Sequence, residues 1–188
     1  IQTIGDLVEK LKADPGAVSW AGGSAGGTDH ITVGLLTKAA GVDPTKINYI
    51  AYSGGGEALA AILGNQVTAG VSSVGEFDAQ VKAGTLRLLA VSAPERIEGV
   101  EAPTLKESGL DVELQNWRMV AAAPGLSDEQ KAKVSADIEK MVKSENWQKQ
   151  LADKGWSDTY LSGADFDAQL AKDEAATSAV LKDIGLVK

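Results

Sequence analysis

The chain lacks cysteine and has a single histidine, His30, among its 188 residues. The absence of cysteine excludes disulfides, thiol nucleophiles and cysteine-ligated structural zinc. One histidine with scattered carboxylates is also a poor ligand set for a transition metal. We therefore expect neither a metal ion nor another cofactor.

Positive charge is also scarce, since 18 lysines and arginines stand against 26 aspartates and glutamates, for a net charge of −8. Nucleic acids and anionic membrane surfaces require a basic face on the protein, so neither is expected as a partner. No apolar run approaches the ~20 residues that span a bilayer. An anion bound by this chain would have to be held locally, by backbone amides and hydroxyl groups.

Short apolar segments alternate with helical patterns over the first 93 residues. The first helix has a capping pair at Thr3 and Asp6 and an apolar face at Leu7, Val8 and Leu11. Further along, strands are predicted at 17–22, 46–52, 66–73 and 85–93, with helices at 28–40, 57–65 and 74–84. This alternation predicts an α/β fold with a parallel sheet and helices on both faces.

The alternation stops after Pro94. Residues 94–114 are predicted to form a long connection with one helical turn at 103–108. Beyond it, the pattern predicts strands at 115–125 and 156–161 and helices at 128–143, around Trp147 and Leu151, and from Gly163 to about Ile184. Because these elements are too few for a doubly wound sheet, we expect a domain boundary near residue 114 and only part of a domain after it.

The stretch "AGGSAGGTDH" (21–30) places a glycine-rich loop between a predicted strand and a helix. Gly22 and Gly27 have the spacing of a phosphate-binding loop, but no lysine follows them: Thr28 and then the acidic Asp29 stand there, which excludes an ATPase. Successive amides at a helix N-terminus can still bind a carboxylate. A tight turn that needs a positive φ explains the same glycines, so both interpretations stay open.

A second glycine loop, 53–56, has the same position between a strand and a helix, and Ser72 and Ser73 end the third strand. The turns that follow parallel strands lie at one edge of the sheet, where open α/β sheets bind ligands. Two neighbouring helix starts would direct their positive ends toward one point. We therefore expect a cleft wall with positive potential on an otherwise acidic protein.

Catalysis by His30 is the competing interpretation. No cysteine is available for a Cys–His pair, and "AYSGG" around Ser53 lacks the leading glycine of a G-x-S-x-G elbow. In the first turn of its helix, His30 could contact a ligand, cap the helix or have a structural role.

Trp20 and Trp117 are predicted as core residues, and Arg118 as a carboxylate partner or a hinge ion pair.

Five segments carry a resemblance to a known family: "GGSAGGTDH", "YSGGGEALAAILGNQV", "VKAGTLRLLAVSAPER", "PTLKESGL" and "NWRMVAAAPGLSDE". Together they resemble the solute-binding proteins of tripartite tricarboxylate transporters, most closely the tricarboxylate-binding branch, and are similar to the wider Bug-type receptors. The resemblance implies a two-domain, hinged fold of the periplasmic-binding-protein type II kind. It also implies an extracytoplasmic receptor, in the periplasm or lipid-anchored on the outer face of the membrane.

The resemblance divides the chain into a complete domain 2 (1–113) and the C-terminal part of domain 1 (114–188), with the N-terminal part of domain 1 absent. Unpaired strand edges at 115–123 and 156–161 would then favour self-association. Carried over by position, the ligand-binding residues are Ser24, Ala25, Gly26, Gly27, Thr28, His30, Ser53, Gly54, Gly55, Ser72 and Ser73. Many relatives have a more serine- and proline-rich first loop and Asp-Asn at the third strand end, so the identity of the ligand stays open.

The leading hypothesis is therefore a receptor that captures a small di- or tricarboxylate such as citrate in an interdomain cleft and delivers it to a membrane permease. Amides of 24–28 and 53–55 would hold the ligand, helped by the hydroxyls of Ser24, Thr28 and Ser53. Two alternatives remain: an enzyme that uses His30 as a base on a small carboxylate, and a sensory adaptor that presents bound ligand to a signalling partner.

Overall fold

The computed structural model describes residues 1–187 and contains, over that range, seven α-helices and one three-stranded sheet. The helices are α1 (Ile4–Ala13), α2 (Thr28–Ala39), α3 (Gly55–Leu63), α4 (Val74–Lys82), α5 (Asp128–Val142), α6 (Glu145–Lys154) and α7 (Gly163–Asp183). The strands are β1 (Ser19–Gly22), β2 (Asn48–Ala51) and β3 (Ala69–Gly70), and single 3₁₀ turns lie at Pro15–Ala17 and Pro44–Lys46. No helix within 1–187 is long and apolar enough to cross a membrane.

The chain divides into two compact units. The first consists of Ile1–Asn116 together with the end of the chain from Ala175, and the second is Trp117–Glu174. The division near residue 116 lies close to the predicted boundary at 114, but the first unit also takes in the end of the chain. The assignment of domain 2 and of a partial domain 1 stays a prediction.

The first helix forms as its capping signals predict. Thr3 Oγ1 accepts from the Asp6 N–H, and the Asp6 carboxylate accepts from the Thr3 N–H, which completes a capping box. Leu7, Val8 and Leu11 are all buried, and the helix ends before Pro15. Local signals therefore determine both ends of α1 and the face that it buries.

The sheet is parallel throughout, in the order β2-β1-β3. Adjacent residues of β1 point to opposite faces, as the period of a strand requires. Trp20 packs in a cluster with Leu11 of α1 and Val33 of α2, whereas Ala21 packs in another cluster with Ala58 of α3. Helices therefore cover both faces of a parallel sheet, and the predicted α/β fold class is confirmed.

The fourth predicted strand, 85–93, is wrong. This segment forms only an isolated parallel bridge, between Val91 and Thr104. Leu89 and Ala90 pack against the same core cluster that holds Trp20. The segment is apolar because it covers that core, and not because it pairs with a neighbouring strand. The third strand is real but covers two residues instead of the predicted 66–73.

The second unit, taken by itself, is helical where helices were predicted. Ser127 and Gln130 form a capping box at the start of α5, Ser144 caps α6, and Gly155 ends α6 in the left-handed conformation. The predicted strands at 115–125 and 156–161 are wrong, because neither segment pairs with another strand within residues 1–187. A strand requires a partner, which local sequence does not reveal.

The two tryptophans predicted as core residues differ in how deeply they are buried. Trp20 is almost completely buried beneath α1 and α2. Trp117 is only half-buried; its Nε1–H donates to Asp173 at 2.8 Å and its ring meets the Phe166 ring edge-on at 6.2 Å between centroids. Arg118 donates to the carbonyl oxygen of Trp117 at 3.1 Å, and its role in a cleft or hinge stays a prediction.

Candidate functional site

Three helices begin at one edge of the sheet. Helix α2 follows β1, α3 follows β2 and α4 follows β3, and parallel strands end at the same edge. Both glycine-rich loops and the pair Ser72-Ser73 lie in these three connections. The fold thus brings the predicted ligand segments to the carboxyl edge of the sheet.

The first loop satisfies much of its own backbone. The Gly23 N–H donates to Asp29 Oδ2 at 2.8 Å, the Gly26 N–H donates to His30 Nδ1 at 3.2 Å, and the Gly27 N–H donates to the Ser24 carbonyl oxygen at 2.9 Å. Gly26 has a φ of +77°, a conformation that favours glycine. The tight-turn interpretation is therefore correct for Gly26, and the amides of Gly26 and Gly27 already have acceptors.

Other amides of the same loop remain available. Within residues 1–187, the amides of Ser24, Ala25 and Thr28 have no hydrogen-bond acceptor. Ser24 and Ala25 are exposed and Thr28 is half-buried, with its hydroxyl donating to Asn116 Oδ1 at 3.3 Å. The predicted amide cradle is thus reduced to part of the loop, and its role in ligand binding stays a prediction.

His30 is buried and engaged on two sides. Its ring stacks on Tyr49, with 4.1 Å between centroids and 4° between planes, and its Nδ1 accepts from Gly26. An Nδ1 that accepts leaves the neutral ring with its proton on Nε2. Burial lowers the pKa of the His30 ring, which favours this neutral form. The geometry gives His30 a structural role that ties the loop to β2.

Asp29 and Tyr49 complete this cluster, and neither was predicted as a site residue. The Tyr49 hydroxyl donates to the Gly23 carbonyl oxygen at 2.8 Å. Burial raises the pKa of Asp29, the Gly23 N–H opposes that change, and the Glu76 carboxylate adds to it. Burial, and next the charge of Asp29, raise the pKa of Tyr49. A carboxylate of the chain itself therefore occupies the start of α2.

The second loop is also closed by a carboxylate. The Ser53 N–H donates to Glu57 Oε2 at 3.1 Å, and hydrogen bonds from the hydroxyl and the amide of Ser53 lower the pKa of Glu57. Gly54 precedes α3 with an extended backbone, and its amide, like that of Gly55, has no acceptor within 1–187. A Cβ on Gly55 would lie 2.5 Å from Glu76 Oε2, so α3 and α4 begin side by side.

The third strand end supplies hydroxyls that are already used. Ser72 and Ser73 both donate to Glu76 Oε2, the latter at 3.0 Å. Asp29, Glu57 and Glu76 thus place one acid in the first turn of each of the three helices. Each helix start is therefore partly neutralised by its own carboxylate, which weakens the expected positive potential, and the pocket itself stays a prediction. Within 1–187, these acids do not form a metal-binding group.

Comparison with known proteins identifies the family. The family model described as "Tripartite tricarboxylate transporter family receptor" matches residues 1–186. The chain belongs to this family. Members are receptors by that description, which favours the receptor hypothesis over the enzyme hypothesis for His30.

Curated relatives of this receptor family agree over long stretches. A Cupriavidus necator protein described as "UPF0065 protein in gbd 5'region" is 27% identical over 192 residues, covering 100% of this chain and 57% of that protein. Protein BugT of Bordetella pertussis is 29% identical over 127 residues, covering 66% of this chain and 38% of that protein. The chain therefore spans little more than half of the Cupriavidus necator protein and a smaller part of BugT.

Several solved structures share the fold of this chain. A TctC solute-binding protein from Polaromonas matches with a TM-score of 0.77 and 28% identity, over 97% of this chain and 62% of that chain. A protein of R. palustris with adipate matches with a TM-score of 0.82 and 22% identity, over 98% and 62%. MatC from Rhodopseudomonas palustris, with bound malate, matches with a TM-score of 0.66 and 18% identity, over 100% and 62%.

The sequence does contain a signal for the acids that were not predicted as site residues: each lies in the first turn of α2, α3 or α4. An acid lies two or three positions after the residue that precedes each observed helix, at Asp29, Glu57 and Glu76. Such acids are the usual partners of free amides at helix N-termini. Tyr49 had no comparable signal, because its contact with His30 joins a strand to the helix that precedes it in the chain.

Proposed function

We propose that this chain is part of an extracytoplasmic receptor that binds a small carboxylate at the carboxyl edge of its parallel sheet. The observation that carries the proposal is the match of the receptor family over residues 1–186, which includes both glycine-rich loops. The exposed amides of Ser24 and Ala25 lie in the first of these loops. The longer receptor would release its ligand to a membrane permease, from the periplasm or from the outer face of the membrane.

The ligand class is proposed from chemistry that two similar proteins share. Adipate and malate, present in structures with this fold, are both short chains with two carboxylates. Amides of Ser24, Ala25 and Thr28 would hold one carboxylate, with the Ser24 hydroxyl, while Gly54 and Gly55 contribute from the second loop. Charge-assisted hydrogen bonds contribute roughly 1.5–3 kcal/mol each, so several would reach micromolar affinity, about −8 kcal/mol.

In the longer receptor, a bound ligand would favour a closed state, and the permease would read that closure. A ligand shifts such an equilibrium only by its difference in affinity for the two states.

The proposed class of ligand is tested by calorimetry with malate, adipate and citrate, because their ranking shows which carboxylates the chain prefers. Recovery of unchanged ligand by NMR after long incubation separates a receptor from an enzyme.

The variant Gly26→Ala tests whether the first loop forms the site. Alanine at a φ of +77° is strained by about 1–2 kcal/mol, so the loop is expected to move and the affinity to fall at least about tenfold. Gly41→Ala is the matched control, because Gly41 has a φ of +76° with open space around it, at the other end of α2.

Both variants should lose similar stability, while only Gly26→Ala should lose affinity for a dicarboxylate. Equal affinities of the two variants in calorimetry would remove the first loop from the site. Failure of malate, adipate and citrate to bind the unaltered chain would overturn the proposed ligand class.

A further inference from the structure

We propose that carboxylate capture at this edge is coupled to the uptake of one proton by Asp29, so that the receptor takes up its anion together with a proton. This inference rests on the proposed function and adds a pH dependence to it. The proton comes from solvent and no covalent bond changes apart from the O–H formed on Asp29.

The geometry distinguishes Asp29 from the other two acids at this edge. Asp29 is half-buried, whereas Glu57 and Glu76 are exposed. Glu57 is held in its charged form by Ser53, whose hydrogen bonds lower the Glu57 pKa. Burial of Asp29 acts in the opposite direction and disfavours its charged form, which raises the pKa of this carboxyl.

The groups around Asp29 come from three elements. Glu76 of α4 adds negative charge, Tyr49 of β2 is a neutral phenol whose hydroxyl bonds to Gly23, and the neighbouring His30 is buried and favours its neutral form. The Gly23 N–H is the one donor to the Asp29 carboxylate within residues 1–187. Asp29 takes no part in the ion pairs of the same range, so no cation offsets a second anion there.

An arriving ligand makes charged Asp29 less favourable. The proposed amide donors of Ser24, Ala25 and Thr28 lie within five residues of Asp29 in the chain, so a carboxylate there adds a like charge nearby. Neutral Asp29 still accepts from the Gly23 N–H through Oδ2, while its other oxygen becomes a donor. Ligand binding and protonation then favour each other, and by linkage the affinity falls as pH rises.

Calorimetric titration with malate in two buffers of different ionisation enthalpy tests this coupling. The relevant pH range begins above the titration of free malate and ends at mildly alkaline pH. In this range we expect net proton uptake on binding, and an affinity for malate that falls by up to about tenfold for each unit rise in pH. Asp29→Asn keeps an oxygen for the Gly23 N–H but cannot gain a proton. This variant should bind without proton uptake, with an affinity that no longer depends on pH in this range.

Asp43→Asn is the control, because Asp43 is an exposed acid in the turn before β2 and Thr45 lowers its pKa. It should take up as many protons as the unaltered chain. Binding without proton uptake in the unaltered chain, or equal uptake in Asp29→Asn, would overturn the coupling while leaving the receptor proposal intact. Absence of binding at every pH would instead overturn the proposed dicarboxylate ligand, and the coupling with it.

Discussion

His30 shows how contacts distant in sequence decide the role of a single residue. Its position next to a glycine-rich loop suggests a catalytic base, but stacking on Tyr49 and the bond from the Gly26 N–H hold the ring in place. A base with one nitrogen in use and a buried ring has little access to a substrate proton. The ring instead fixes the loop in the conformation that leaves Ser24 and Ala25 exposed.

The titration of His30 follows from this burial. We expect its pKa to lie below the ordinary value of 6.5. Because the folded chain then binds fewer protons than the unfolded chain, His30 should lower the stability as pH falls through the unfolded histidine pKa. His30 is the only histidine, so its ring signals in NMR are unambiguous. A midpoint at or above the ordinary value, or a nitrogen shift that places the proton on Nδ1, would contradict the observed geometry.

Asp29 marks the limit of sequence reasoning at the scale of a residue. In the sequence it is an acid just after a glycine-rich loop, where its charge would repel a phosphate group. Its burial and the effect of the Glu76 charge on it depend on residues that are distant from it in the chain. Neither property can be read from residues near it in the chain.

Among the elements, those with local signals were predicted well. Capping pairs begin α1 at Thr3 and α5 at Ser127, and the helical spacing of apolar residues continues from there. Together these signals define both helices within a residue or two. The predicted strands at 85–93, 115–125 and 156–161 failed, because apolar composition shows burial or a tendency to extend but does not supply a partner strand. The predicted ligand segments do lie at one edge of the sheet, because each follows a parallel strand, but their role in binding stays a prediction.

Gly34 shows how a single position couples two helices of the first unit. A Cβ on this residue, in the middle of α2, would lie 2.5 Å from Ile184 Cγ2 and 3.5 Å from Val180 Cγ1. Glycine in a helix interior costs about 1 kcal/mol relative to alanine. The close approach of Ile184, just after α7, explains why that cost is tolerated here.

We expect Gly34→Ala to destabilise the chain by about 1–3 kcal/mol, because overpacking exceeds the gain in helix propensity. Ile184→Ala alone should cost about 2–5 kcal/mol through lost burial. In the double variant, alanine at 184 leaves room for the new methyl group, so the two costs should not add. Urea unfolding of all four proteins measures this coupling; costs that add within about 0.5 kcal/mol would refute it.

At the scale of the whole molecule, apolar burial is uneven between the two compact units. The first unit holds the large core cluster around Trp20 and Leu11. In the second unit the buried apolar residues within 1–187 are Val142 and Leu151. Met119 and Val120 are 54% and 67% exposed there, and the tryptophan Trp156 is 54% exposed. Large apolar side chains at this exposure favour association.

We therefore expect the isolated chain to self-associate through the second unit, in line with the unpaired segments predicted at 115–123 and 156–161. Light scattering coupled to gel filtration should show a mass that rises with concentration. The double variant Val120→Lys with Leu161→Lys should shift the chain toward monomer, because charge opposes burial of these positions. Leu63→Lys is the control, since Leu63 is 42% exposed in the first unit, close to the 46% of Leu161. A monomer at all concentrations, or equal shifts in both proteins, would show that the second unit does not drive association.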